Sequence, residues 1–200
     1  MLVKLALGFL GIILFLFIFW KKLREDYSSE IIFQTAITSL VGLGLGLVVS
    51  GIILPAWFFW LGFLGAVVGL SLMLARFKLK FFETFEGFTL ASIPMVTLMF
   101  FRDSISHSSL NSFLAFVACL ILIFLAYCVD LNYKSFTWYK SWKIGFTGLF
   151  IAFLFFLIRT VIAILRLPVV SLVGTLEWVV SGVVALAFLG LLIKLGRKQE

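Results

Sequence analysis

The sequence predicts an all-α integral membrane protein with seven transmembrane helices. Of its 200 residues, 64% are hydrophobic and only 12% are charged, which is far outside the composition of soluble domains. Several uncharged stretches reach about 20 residues, the length that an α-helix needs to cross a bilayer. Because lipid satisfies no backbone hydrogen bonds, such stretches form helices rather than open sheets.

The seven spans are expected in one domain that covers residues 1–200. Their approximate bounds are 2–20, 31–54, 56–75, 84–101, 110–129, 144–165 and 169–193. Lys21 and Lys22 follow the first span directly, and no small-residue cleavage site precedes them, so we expect a retained helix rather than a signal peptide. Only Pro55 separates the second span from the third, and Pro94 predicts a kink in the fourth.

Glycine pairs predict a close contact between helices. Gly42 and Gly46 lie four residues apart in the second span, and Gly65 and Gly69 do so in the third. Small residues at this spacing let two helix backbones approach each other in a membrane.

The placement of positive charge predicts the orientation. Three Lys or Arg residues follow each of the first, third, fifth and seventh spans, twelve of the 16 in the chain. By the positive-inside rule, the amino terminus lies outside and the carboxyl terminus lies in the cytoplasm. The same distribution accounts for the net charge of +7 without a nucleic-acid partner.

Arginines in the outer half of the bilayer are the candidate functional residues. Arg159 lies inside the apolar run 143–166, and Arg166 follows seven residues later, so a continuous helix would direct both to nearly the same side. Arg102 is expected at the outer surface. An arginine at the centre of a membrane helix costs roughly 2.5–3.5 kcal/mol to insert, so it normally faces protein, a wet cavity or a charged ligand. Glu177 is the nearest counter-ion, and simple pairing with it, or snorkelling of Arg159 to the interface, stays open as an alternative.

Other polar residues carry weaker expectations. Cys119 and Cys128 lie nine residues apart on one span, too far for a disulfide. Glu83 and Glu86 share a helical face near basic residues and predict a solvated ion cluster. No metal-ligand spacing occurs, and we expect no metal and no other cofactor.

Four segments together resemble the bacterial prolipoprotein diacylglyceryl transferase family. They are FWLGFLGAVVGLSLML at 59–74, FFETFEGFTLASIP at 81–94, MFFRD at 99–103 and FLFFLIRTVIA at 153–163. Arg159 falls on the family's late arginine. Trp60 stands at the family's histidine and Ala163 at its glutamate, and Arg102 is displaced from the family's other arginine.

The resemblance implies a seven-helix protein of the bacterial inner membrane with an active site toward the outer half. Such a protein binds the anionic phospholipid phosphatidylglycerol and transfers its diacylglyceryl group to a cysteine of a lipoprotein precursor. Arg159, Arg166 and Arg102 would hold the headgroup, because a guanidinium matches phosphate oxygens bidentately. His107, the chain's one histidine, is the candidate replacement for the missing base.

Two other functions remain open from the sequence. The chain could be a non-catalytic membrane scaffold or lipid-binding partner that has kept the fold without the chemistry. A small transporter is disfavoured, because few polar residues lie within the spans and no pair of interrupted helices occurs in matching halves.

Overall fold

The computed structural model describes residues 2–132, 145–167, 169, 171–172 and 176–196, with only the backbone for residues 2–4. Seven α-helices follow one another, and all seven are long and apolar enough to cross a membrane. They are α1 (Leu2–Leu23), α2 (Ser29–Ile53), α3 (Phe58–Phe77), α4 (Phe81–His107), α5 (Leu110–Asn132), α6 (Phe146–Ile164) and α7 (Glu177–Gly196). No strand occurs in the ranges just given. The prediction of seven membrane-type helices is therefore confirmed. The fifth connector and the basic carboxyl-terminal residues 197–200 lie outside the described residues.

Two helices differ in extent from their predicted spans. Helix α4 has 27 residues and continues past Pro94 to His107, so Arg102 and His107 lie on a helix rather than in a connector. Helix α7 begins only at Glu177, whereas a span from residue 169 was predicted. Hydropathy alone misplaces this start, because a turn closed by a hydrogen bond from the Leu172 N–H to the Val169 carbonyl oxygen lies where the span was predicted to begin.

Helices α2 and α3 form a closely packed hairpin joined by a single 3₁₀ turn, Pro55–Trp57. A Cβ atom on Gly42 would overlap the carbonyl oxygen of Gly65, and one on Gly46 would overlap that of Leu61. The predicted glycine contact is thus confirmed. Its physical basis is the direct approach of two backbones, which side chains would prevent.

Helix α4 lies at the centre of the remaining bundle. It packs against α1, α5 and α6, and α6 packs in turn against α7. Aromatic rings connect these helices in sequence. The ring centroids of Phe85 on α4 and Phe188 on α7 lie 5.4 Å apart, and those of Phe188 and Phe156 on α6 lie 5.7 Å apart. Trp60 on α3 continues the series, 5.6 Å from Phe156. This aromatic core places α3, α6 and α7 around one buried polar cluster.

Candidate functional site

Arg159 and Glu177 form a buried ion pair between α6 and the first residue of α7. The two side chains are almost inaccessible, with relative exposures of 3% for Arg159 and 1% for Glu177. The Nη2 and Nε atoms of Arg159 lie 2.5 and 3.1 Å from Oε1 of Glu177. Of the two alternatives open from the sequence, the structure therefore has Arg159 facing protein and paired with the acid.

Ser171 supplies the other partners of the guanidinium. Arg159 Nη1 donates to Ser171 Oγ and Nη2 donates to the Ser171 carbonyl oxygen, both at 2.8 Å. Together with the two bonds to Glu177, these contacts use four of the five N–H groups of the arginine. Extensive hydrogen bonding of this kind is what makes a buried arginine tolerable in an apolar medium.

Glu177 is the point at which donors from three helices meet. Trp60 Nε1 on α3 donates to Oε2 at 2.9 Å. On α7 itself, Ser181 Oγ donates to Oε1 at 2.7 Å, the same oxygen that Arg159 contacts from α6. We call Arg159, Glu177, Trp60, Ser171 and Ser181 the Arg159 cluster. In this cluster the indole N–H of Trp60 serves as a hydrogen-bond donor.

An aromatic face covers the guanidinium. Arg159 Cζ lies 3.8 Å from the ring centroid of Phe59, and the rings of Trp60 and Phe155 lie 5.7 and 5.9 Å away. Cation–π attraction grows when the cation is desolvated, so Phe59 adds to the ion pair in holding Arg159 in place.

A small cavity adjoins the cluster. Arg159 and Ser171 are among its lining residues, but its accessible walls are almost entirely apolar and include Phe100, Cys119 and Leu122. Its volume of about 20 Å³ accommodates about one water molecule. In this conformation the cavity cannot hold a phospholipid headgroup.

The other two arginines lie away from the cluster. Helix α6 ends at Ile164, and Arg166 follows with a left-handed backbone (φ 53°) and an exposed side chain. The expectation that Arg159 and Arg166 share one helical side is therefore wrong, because the helix ends between them. Arg102 is exposed on α4.

His107 is held by its own helix. Its Nδ1 lies 2.8 Å from Oδ1 of Asp103, and its side chain is 68% exposed. The second oxygen of Asp103 accepts a hydrogen bond of 2.5 Å from Ser112 Oγ on α5. Asp103 thus orients the imidazole and ties the end of α4 to the start of α5.

A second buried charge cluster went unrecognised in the sequence. Glu86 on α4 is only 3% exposed. Its Oε1 lies 2.8 Å from Nζ of Lys22 on α1, and Oε2 accepts a hydrogen bond from the Gly145 backbone N–H. Asp130 on α5 shares the same ammonium group at 2.6 Å. The prediction of a solvated cluster is wrong for Glu86. Two features of the sequence could have indicated this burial. Glu86 lies within an apolar run, and Lys22 offers a cation at the end of the first span.

Glu83 is buried as well, with 8% exposure, so the prediction of a solvated cluster is wrong for this residue too. It belongs to a neighbouring group in which the Lys80 side chain is exposed. It accepts hydrogen bonds from Lys80 Nζ at 2.8 Å and Tyr27 Oη at 3.0 Å. Burial is the main cause that raises the pKa of the Tyr27 hydroxyl, and Glu83 adds to this effect. The hydrogen bond to Glu83 likewise raises the pKa of Lys80.

Cys119 and Cys128 are free thiols. In the part of the chain that the structure describes, no group of three or more His, Cys, Asp or Glu side chains is placed to hold a metal ion.

Comparison with protein-family models, curated proteins and solved structures finds no match to this chain. The resemblance to the diacylglyceryl transferases therefore depends on the sequence segments alone.

Proposed function

We propose that this chain is a non-catalytic multipass membrane protein that binds an anionic phospholipid, and that it has kept a transferase-like frame without the transferase chemistry. The observation that supports this proposal is the convergence of Arg159, Trp60 and Ser181 on one carboxylate. Three donors directed at one point in an apolar interior form a receptor for an anion, because charge-assisted hydrogen bonds are strong where water is excluded.

The same residues support the absence of chemistry at this site. An indole N–H is a donor only, so Trp60 cannot accept the proton that a thiol nucleophile must lose. Arg159 is permanently charged and cannot act as a base either. Neither of these two donors can therefore act as the base that a thiol nucleophile needs.

The proposal includes a location and an orientation. With the amino terminus outside and the carboxyl terminus in the cytoplasm, the Arg159 cluster falls in the outer half of a bacterial inner membrane. Phosphatidylglycerol is then the anionic lipid that we propose as ligand. Arg166 and Arg102, both exposed, remain candidates for additional contacts with a headgroup.

Lipid binding and transfer can be measured on the same purified protein in micelles. We expect retention of phosphatidylglycerol over phosphatidylcholine in native mass spectra, loss of that preference in Arg159→Gln, and no labelling of a lipobox peptide by labelled phosphatidylglycerol. Arg76→Gln, an exposed arginine on α3, is the matched control. The double variant Arg159→Gln/Glu177→Gln removes both charges, so that no buried acid is left unpaired. If this variant fully retains the preference for phosphatidylglycerol, the Arg159 cluster is not the lipid-binding site.

Diacylglyceryl transfer is the second candidate function, and the geometry of His107 favours it. Because Asp103 engages Nδ1, the tautomer with its proton on that nitrogen leaves Nε2 as an acceptor. In the transfer, the cysteine thiol loses its proton to His107. Its sulfur forms a bond to the glyceryl carbon as the carbon–oxygen bond to phosphate breaks, and glycerol phosphate leaves with the negative charge. If the unsubstituted chain labels the lipobox peptide and His107→Ala abolishes this labelling, the transferase function is established and the non-catalytic proposal is contradicted.

A further inference from the structure

We propose that Glu177 occupies the place of the anionic ligand, so that the present conformation is a closed form that a phosphodiester opens by exchange with this side chain. The inference rests on the proposed function, since it concerns the anion site around Arg159. It assigns to Glu177 the role of an internal competitor rather than a permanent structural partner.

The carboxylate of Glu177 matches a phosphodiester in charge and in its acceptor oxygens. A carboxylate and a phosphodiester each carry one negative charge and present two equivalent acceptor oxygens. Glu177 Oε1 accepts from Arg159 and Ser181, and Oε2 accepts from Trp60. The two non-bridging oxygens of a phosphodiester can receive the same donors, which therefore remain satisfied after the exchange.

The site has space and positive charge for only one anion. The adjoining cavity of about 20 Å³ accommodates about one water molecule. Four of the five N–H groups of Arg159 are already used. Two anions beside one buried cation would leave a negative charge uncompensated in an apolar medium, which is strongly unfavourable. A ligand can therefore enter only as Glu177 leaves.

The exchange leaves the Arg159 cation paired with an anion throughout. Removing Glu177 alone would leave Arg159 buried without a counter-ion, whereas substitution by a phosphodiester preserves the ion pair. The apparent affinity for the ligand is reduced by the fraction of molecules in which Glu177 fills the site. Weakening the hold of Glu177 should consequently tighten ligand binding.

The test is a titration of the solubilised full chain with short-chain phosphatidylglycerol, phosphatidylcholine and glycerol phosphate. Glu177→Gln is expected to bind phosphatidylglycerol about tenfold more tightly than the unsubstituted chain, a change of about 1.4 kcal/mol. Phosphatidylcholine should show no gain. Glu30→Gln is the matched control, because Glu30 is an exposed acid on α2 that accepts a hydrogen bond from Gln34, and it should leave the affinity unchanged.

The outcomes separate this inference from the proposed function. Suppose that Arg159→Gln abolishes the preference for phosphatidylglycerol, but Glu177→Gln binds this lipid no more tightly than the unsubstituted chain does. The proposed lipid-binding function then stands, and the competitor role of Glu177 is wrong. If neither the unsubstituted chain nor Glu177→Gln prefers phosphatidylglycerol, both proposals are wrong. If Glu177→Gln gains as much affinity for glycerol phosphate as for phosphatidylglycerol, the exchange is supported with any phosphate ester as ligand. If it gains affinity for phosphatidylglycerol alone, the exchange is supported with a membrane lipid as ligand.

A second variant keeps the inference testable if Glu177→Gln does not fold. Glu177→Asp keeps the negative charge and leaves every donor of the site in place, but its side chain is shorter by one methylene group, so that its carboxylate cannot keep both the hydrogen bond from Trp60 and the ion pair with Arg159. We expect it to tighten phosphatidylglycerol binding about threefold, less than the loss of the charge, because a hydrogen bond to a charged group is only part of the hold on Glu177. Unchanged or weaker binding by this variant would overturn the competitor role.

Discussion

Lys22 on α1 and Glu86 on α4 form an ion pair in which Nζ and Oε1 lie 2.8 Å apart. The lysine side chain is 25% exposed, whereas the carboxylate is almost completely buried. Glu86 also accepts a hydrogen bond from the backbone N–H of Gly145, directly before α6. One buried acid therefore joins three helices near the connectors after the first and third spans.

Replacement of Lys22 by methionine should destabilise the fold. The change leaves Glu86 buried without its cation, and we expect a loss of about 3 kcal/mol in the free energy of unfolding. This is the lower end for removing one partner of a buried pair, because Lys22 is partly exposed. Unfolding in mixed micelles of increasing denaturing detergent measures it. Lys21→Met at the neighbouring exposed position is the control, and an equal loss there would contradict the role of the pair.

Replacement of Gly42 by alanine should separate α2 from α3. The added Cβ overlaps the Gly65 carbonyl oxygen, and neither backbone can yield without shifting its helix. We expect a loss of roughly 1–3 kcal/mol in the free energy of unfolding, as for other overpacked sites. Gly44 lies on the same helix with open space around it, so Gly44→Ala should stabilise by up to about 1 kcal/mol. Similar effects at both positions would show that backbone contact is not the cause.

Replacement of Trp60 by phenylalanine tests the donor role of the indole. The ring stays aromatic, but Glu177 Oε2 loses the hydrogen bond from Nε1. We expect the free energy of unfolding to fall by about 1.5–3 kcal/mol, the contribution of a hydrogen bond to a charged group. Trp57→Phe, at a half-buried tryptophan in the turn before α3, controls for the loss of indole bulk. A cost at Trp60 no greater than at Trp57 would argue against the donor role.

The stability of the chain should fall at alkaline pH. The pKa of Tyr27 is raised in the folded chain, mainly by burial, so the stability that it contributes is complete below its unfolded pKa of about 10. That contribution is lost as the pH rises through the folded pKa. The raised pKa of Lys80 acts in the same direction.

Tyr27→Phe should therefore flatten the alkaline decline. The free energy of unfolding, measured by chemical denaturation from pH 8 to 12, is expected to fall less steeply in the variant above pH of about 10. The decline should not vanish, because Lys80 still titrates. Tyr127→Phe, at an exposed position of α5, is the control. A decline equal in Tyr27→Phe and the unsubstituted chain would contradict the prediction.

The candidate site could be predicted in part. Arg159 attracts attention because it is the one charge within a long apolar run, and Glu177 because it is the nearest acid. Their pairing stayed one alternative among several, since a helix that is apolar on every face carries no periodic signal of its rotation. The partners Trp60 and Ser171 could not be predicted, because neither residue type signals a contact with a distant charge.

Composition and local pattern by themselves determined the seven helices and the glycine contact between α2 and α3, because hydropathy and small-residue spacing act within one segment or between neighbouring segments. Only the tertiary structure decided that α4 extends to His107, that α6 ends before Arg166, and that Glu86 is buried on Lys22. The physical reason is that the cost of a buried charge depends on which distant groups surround it. The fold brings those groups together from helices far apart in the chain.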